Sequence, residues 1–192
     1  MSIISDLINY CTYLIENGGI LISFLLVLIE SFLPILPLGG FVALNVNAFG
    51  LLEGIIVSWI ATTIGCFITY LIIYNLSNII VYKLLKPETR TKILDKMENF
   101  KRIKITHLVL LITLPFAPSF LINFLAGVSG ILKEKFLISL IIGKAFMIIF
   151  WGYIGKSLIE SITNIKAIIF TILMLVIAYI ITKIISKKFK IE

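Results

Sequence analysis

The chain of 192 residues is 60% hydrophobic and 14% charged, carries a formal net charge of +7, and has a mean hydropathy of +1.13. That balance excludes an ordinary soluble domain and predicts an all-α integral membrane protein of one domain, whose basic residues mark a membrane face rather than a nucleic-acid surface. The two cysteines, Cys11 and Cys66, lack redox or zinc spacing and are expected to stay unpaired, and no cofactor or metal is expected.

Residues 1–18 place Ile3, Ile4, Leu7, Ile8, Cys11, Leu14 and Ile15 on one helical face, away from Asp6, Asn9 and Glu16, which predicts an amphipathic helix lying at the interface. It is not read as a signal peptide, because no basic residue precedes the apolar part and Asp6 interrupts it. A membrane domain over 19–160 follows. Its first repeat, 19–80, begins with two limbs, 20–33 and 37–48, each shorter than the roughly 20 residues a full crossing needs. Between them stands Glu30-Ser31-Phe32-Leu33-Pro34-Ile35-Leu36-Pro37-Leu38-Gly39-Gly40, a carboxylate and two prolines inside an apolar run. Pro34 and Pro37 remove amide donors, and a broken backbone at membrane depth needs shelter from protein or a water-filled cavity. The stretch is therefore expected to be a re-entrant hairpin with Glu30 near its tip, and residues 54–80 a full crossing.

Residues 81–106 form the one large aqueous loop, rich in Lys and Arg around Pro87, Ile93, Leu94, Met97 and Phe100, and are expected to rest as an amphipathic helix on anionic headgroups. The second repeat, 107–160, has its own break at Leu114-Pro115-Phe116-Ala117-Pro118-Ser119, followed by Asn123 and Gly127, then a crossing from Lys133 to about Ser157. Residues 161–192 supply a third crossing and a basic tail. If each broken segment returns to the side it entered from, 14 of the 17 Lys and Arg share one side, so the central loop and C-terminus are expected to be cytoplasmic.

The halves correspond. Pro34 and Pro37 match Pro115 and Pro118 at an offset of 81, and Gly50-Leu51-Leu52 matches Gly130-Ile131-Leu132 at an offset of 80. Opposite entry of the two hairpins makes this an inverted repeat, a transporter plan with its site near the midplane. Glu30 and Lys144 each lie about 11 residues into their segments, roughly 16 Å deep in an approximately 30 Å core at about 1.5 Å per residue. Two opposite charges at one depth make either a static ion pair that docks the hairpin or a shared polar site for an anionic headgroup, with Glu30 as a proton-switchable carboxylate. Asn45, Asn47, Ser119 and Asn123 either satisfy freed backbone groups or touch substrate. His107 reads as interfacial, Glu53 as solvated, and Trp59, Trp151, Tyr153 and the tyrosines at 70, 74 and 82 as interface anchors.

Several ordered motifs resemble the DedA-like proteins that carry the VTT domain. These are the glutamate four residues before Pro-x-x-Pro, Ala43-Leu44-Asn45, Ala48-Phe49-Gly50, Ser58-Trp59, Leu114-Pro115-Phe116-Ala117-Pro118, Ile122-Asn123-Phe124-Leu125-Ala126-Gly127, Phe136, Gly143-Lys144 and Gly152-Tyr153-Ile154-Gly155. Leu38-Gly39-Gly40 stands where DedA proteins proper have a second acidic residue, and no arginine surrounds the second proline motif, so the chain is similar to the Golgi-type, SNARE-associated branch as it occurs in bacteria. The resemblance implies opposed re-entrant hairpins and movement of lipid between leaflets, either phospholipid or a polyprenyl-phosphate carrier. The candidate substrate-binding or transport residues are Glu30, Lys144, Pro34, Pro37, Asn45, Pro115, Pro118, Ser119 and Asn123. Membrane lipids with anionic headgroups are the expected partners, nucleic acid is not, and a homo-oligomer is left open. Rival readings are a proton- or ion-coupled solute transporter and a membrane assembly factor. An enzyme is not expected, since HExxH, GxSxG and paired intramembrane aspartates are all missing. The excess of Lys, Ile and Asn suggests a bacterium, and hence a plasma membrane.

Overall fold

The side chains that this protein buries are more polar than many that it exposes. Along the crossing helix 51–79, Ile56, Ile60, Ile64, Ile68 and Ile72 recur every fourth residue and face outward, while Ser58, Thr62, Thr63, Thr69 and Tyr70 are buried. An outward isoleucine stripe with hydroxyls inside is what hydrocarbon selects, because water is not the solvent to be satisfied. The computed structural model describes residues 3–32, 38–79, 97, 98, 100–160 and 165–189. The expected turn containing Pro34 and Pro37, most of the basic loop 81–96, the junction 161–164 and the last three residues lie outside the described residues, as do the side chains of the expected N-terminal apolar face at Ile3, Ile4, Leu7 and Ile8.

The described chain is helical, in the order α1 (Ile3–Phe32), α2 (Leu38–Phe49), α3 (Leu51–Ile79), α4 (Ile105–Thr113), α5 (Ser119–Val128), α6 (Lys133–Glu160) and α7 (Ile165–Phe189). Gly19 leaves helical geometry at φ 62° and ψ −158°, so α1 is broken where an interfacial helix was expected to give way to the first limb. Two helical stretches, Leu51–Ser77 and Lys133–Ser157, are long and apolar enough to cross a membrane; Asn17–Phe32, Leu38–Phe49, Ser119–Val128 and Ile172–Ile185 are shorter apolar helices. Two of the three expected crossings fall in the two long stretches; the third falls in α7, 25 residues long, of which Ile172–Ile185 is the described apolar part.

Gly50 and Gly130 end the second limb of each half in the left-handed region, at φ 87° and φ 65°. Only glycine occupies that region without strain, and each lets the chain turn directly into the crossing helix that follows. Packing then interleaves the halves. α1 lies on α3 and α4 on α6, whereas α2 reaches across to α6 as well as α3, and α5 packs on α3. Close approach needs bare backbone at two matching places. A Cβ at Gly65 would come within 2.9 Å of the Leu28 carbonyl and one at Gly143 within 3.1 Å of the Val109 carbonyl.

Two expectations about aromatic residues need correction. Tyr70 is not an interface anchor; it is fully buried against Phe136 and donates its hydroxyl to the Ile131 carbonyl, closing the core between α3 and the start of α6. Trp151 is not one either, because its ring packs over Gly39 and forms part of an internal cavity. Trp59 ties α3 to α6 by donating from Nε1 to the Ile141 carbonyl at 3.0 Å.

Candidate functional site

The non-helical stretch 114–118, between α4 and α5, faces the end of the first limb and the start of α2 across a cavity of about 340 Å³. Glu30 and Ser31 line it from α1, Leu38 and Gly39 from α2, and Thr62 and Cys66 from α3. The opposite wall is Pro115 to Phe120 together with Lys144, Met147 and Trp151. The last three are spaced i, i+3, i+7 on α6, so one helical face supplies them all. Phe116, which is 38% exposed, stands at the open rim.

Lys144 is 1% exposed. Its ammonium donates to Ser119 Oγ at 2.9 Å and lies 3.6 Å from Met147 Sδ. A hydroxyl and a weakly accepting thioether are poor company for a cation with three donors. Glu30, 9% exposed, borders the same cavity, yet the two charges do not form an ion pair with each other, unlike Arg102 and Glu98 at the surface. Of the two readings of opposite charges at one depth, the geometry is that of a shared cavity rather than a closed pair. Burying an ammonium without a counter-ion is costly, and such groups in membranes face a cavity or a ligand path. The arrangement can accept an anionic group at Lys144 while Glu30 opposes tight retention.

The other sequence-derived residues divide cleanly. Pro115, Pro118 and Ser119 line the cavity beside Lys144. Pro34 and Pro37 lie outside the described residues. Asn45 is fully buried away from the cavity, accepting from Ser23 Oγ at 2.7 Å and donating to Ser58 Oγ at 2.9 Å, so it bolts α2 to α1 and α3. Asn123 is buried on α5 with its Nδ2 unpartnered and does not line the cavity. Asn47 is exposed. Residues not anticipated in the site are Ser31, Thr62, Cys66, Met147 and Trp151. The helical spacing from Lys144 signals Met147 and Trp151, and the i, i+4 pair Thr62 and Cys66 forms a polar stripe within an otherwise apolar helix. Among the described residues no cluster of His, Cys, Asp or Glu is arranged to hold a metal.

The VTT domain family matches residues 33–157. A relative from Bacillus subtilis strain 168, the uncharacterized membrane protein YhjE, is 36% identical over 165 residues, which cover 84% of this chain and 78% of that protein. No solved structure matches the chain.

Proposed function

The chain belongs to the VTT-domain, DedA-like family of membrane proteins, and on that premise we propose that it moves phosphate-bearing lipids between leaflets, with the headgroup crossing through the cavity at Lys144 while the acyl chains stay in the bilayer. The observation that carries this reading is the buried Lys144 ammonium, whose partners among the described residues are Ser119 and Met147 and which shares with Glu30 a cavity with an apolar, exposed rim. At about 340 Å³ the cavity suits a headgroup and not a whole lipid. Phe116 and Phe120 at its edge offer an acyl chain the apolar contact that a soluble solute would not need. Glu30 in the same space keeps the anion from binding too tightly to leave, the balance any permeation path requires.

In this reading α1–α2 and α4–α5 are opposed re-entrant hairpins of an inverted repeat, which thins the hydrophobic barrier around the cavity. The packing supports it. Gly65 lies against Leu28 and Ser31, and Gly143 against Val109 and Ile112, so the limb positions correspond at the same offset of 81 that relates the prolines. The protein works without covalent chemistry, in a bacterial plasma membrane, with the basic loop and tail on the cytoplasmic side as the Lys and Arg distribution favours. Lipid is its partner.

The test uses purified protein in liposomes. Labelled phospholipid and labelled polyprenyl phosphate are followed between leaflets, alongside release of entrapped inorganic phosphate. Exchange of either lipid without release of the soluble anion is the expected result; phosphate release without lipid exchange points to a solute transporter, and neither, in vesicles holding folded protein, points to an assembly factor.

A further inference from the structure

We propose that α7 is a side gate of the cavity and that Tyr179 holds it shut by fixing the Phe116 ring. The consequence for lipid entry rests on the function proposed above, whereas the geometry does not. Phe116 sits in the non-helical stretch between α4 and α5, where helical hydrogen bonding does not set its place. Its ring is instead gripped from two sides, by Trp151 at 5.5 Å and 75° and by Tyr179 at 5.9 Å and 79°. Both are edge-to-face contacts, the favoured aromatic geometry. Trp151 is part of the cavity wall on α6, but Tyr179 belongs to α7, which lies beyond residues 33–157 of the family domain.

Among the described residues, α7 fits its neighbours most loosely. Its described side chains pack principally on α6, through an inward stripe of Leu175, Ala178, Thr182 and Ile185, in which only Thr182 is buried and its hydroxyl is unpartnered. The limbs α2 and α5 meet α3 more closely, at glycines: a Cβ at Gly54 would strike the Asn45–Val46 backbone, and one at Gly127 the Ile73 side chain and the Tyr70 carbonyl. A helix held along one thin stripe moves more readily than one interlocked at glycine. When α7 swings away, Phe116 loses one of its two ring partners, and the apolar rim that it forms is free to part toward the bilayer. Tyr179 is thus a positioning residue, acting on the cavity through Phe116.

Cys66 provides the readout. It lines the same cavity from α3, is a free thiol, and is 1% exposed. In a Cys11→Ser background, the rate at which N-ethylmaleimide labels Cys66 in proteoliposomes reports how often the cavity opens, whether or not lipid moves. Tyr179→Ala is expected to raise that rate roughly two- to tenfold, the range that loss of one edge-to-face pair allows. Tyr179→Phe keeps the ring and is expected to match wild type. A Ser139→Cys thiol, buried on α6 away from the cavity and measured in a background lacking both native cysteines, controls for general loosening and is expected to stay unlabelled. Unchanged Cys66 labelling in Tyr179→Ala overturns the gate, as does a parallel rise at Ser139→Cys or an equal rise in Tyr179→Phe. The same vesicles report phospholipid exchange, which the gate predicts will quicken in Tyr179→Ala. Wild-type vesicles without exchange reject the lipid reading, and the labelling result still decides whether α7 gates the cavity.

Discussion

The two proline-broken segments share a local plan and spend their polar groups differently. In the first, Asn45 on α2 is saturated by Ser23 and Ser58, and α2 packs on α1, α3 and α6. In the second, Asn123 on α5 leaves its amide donors unpaired, α5 packs mainly on α3 and hardly on α4, and the described polar tie from α5 to another helix is Ser119 with Lys144. One half uses buried polarity to fix its helices together, and the other leaves polarity beside the cavity. In a medium where apolar packing alone gives little preference for one arrangement, such ties decide which half is rigid.

Exchanging the roles of the two asparagines is the strongest way to break that comparison. Asn45→Leu strands the Ser23 and Ser58 hydroxyls and is expected to destabilise the protein by about 2–4 kcal/mol, seen as a large drop in thermal unfolding temperature in detergent. Asn123→Leu removes an amide that is already unpaired and is expected to change stability by less than about 1 kcal/mol, or to raise it. Equal losses at both positions would erase the distinction.

The glycines test the opposite point, that the halves are built alike where limb meets crossing helix. Gly65→Ala brings a Cβ to 2.6 Å from Ser31 Cβ, and Gly143→Ala brings one to 2.7 Å from Ile112 Cγ2. Each is expected to cost about 1–3 kcal/mol by overpacking, and the two unfolding shifts should be similar. A loss at only one of them would confine the correspondence to sequence.

The extent to which this architecture is legible in the sequence follows from what its helices face. Breaks are easy to read: Pro115 and Pro118 do interrupt the helix, Gly19 does end the N-terminal segment, and Gly50 and Gly130 do turn the chain. Faces are hard to read. α3 and α6 are largely apolar on both sides, and the small hydroxyls that α3 turns inward contrast only weakly with its outward isoleucines, so periodicity says little about which side is inward. Hence Tyr70 and Trp151, residue types that usually mark the interface, turn out to be inside. The Lys144 position stands out in the sequence because a charge inside an apolar run has few explanations. The role of Asn45 does not, since its partners are 22 and 13 residues away and each is one serine among several.

Smaller effects are expected at Ser119. Ser119→Ala removes the hydroxyl that accepts from Lys144 and should cost about 0.5–1.5 kcal/mol of stability, while slowing lipid exchange less than loss of the ammonium does.

The central claim is that the Lys144 charge serves transport and not the fold, and it is tested most directly by comparing wild type with Lys144→Met for phospholipid and polyprenyl-phosphate exchange and for thermal stability on the same preparations. Replacing a buried cation that has no ion pair among the described residues by an apolar side chain of similar length is expected to leave unfolding temperature unchanged or raised, while exchange is lost. Exchange persisting in Lys144→Met, or disappearing only in step with the fraction of folded protein, would contradict the account.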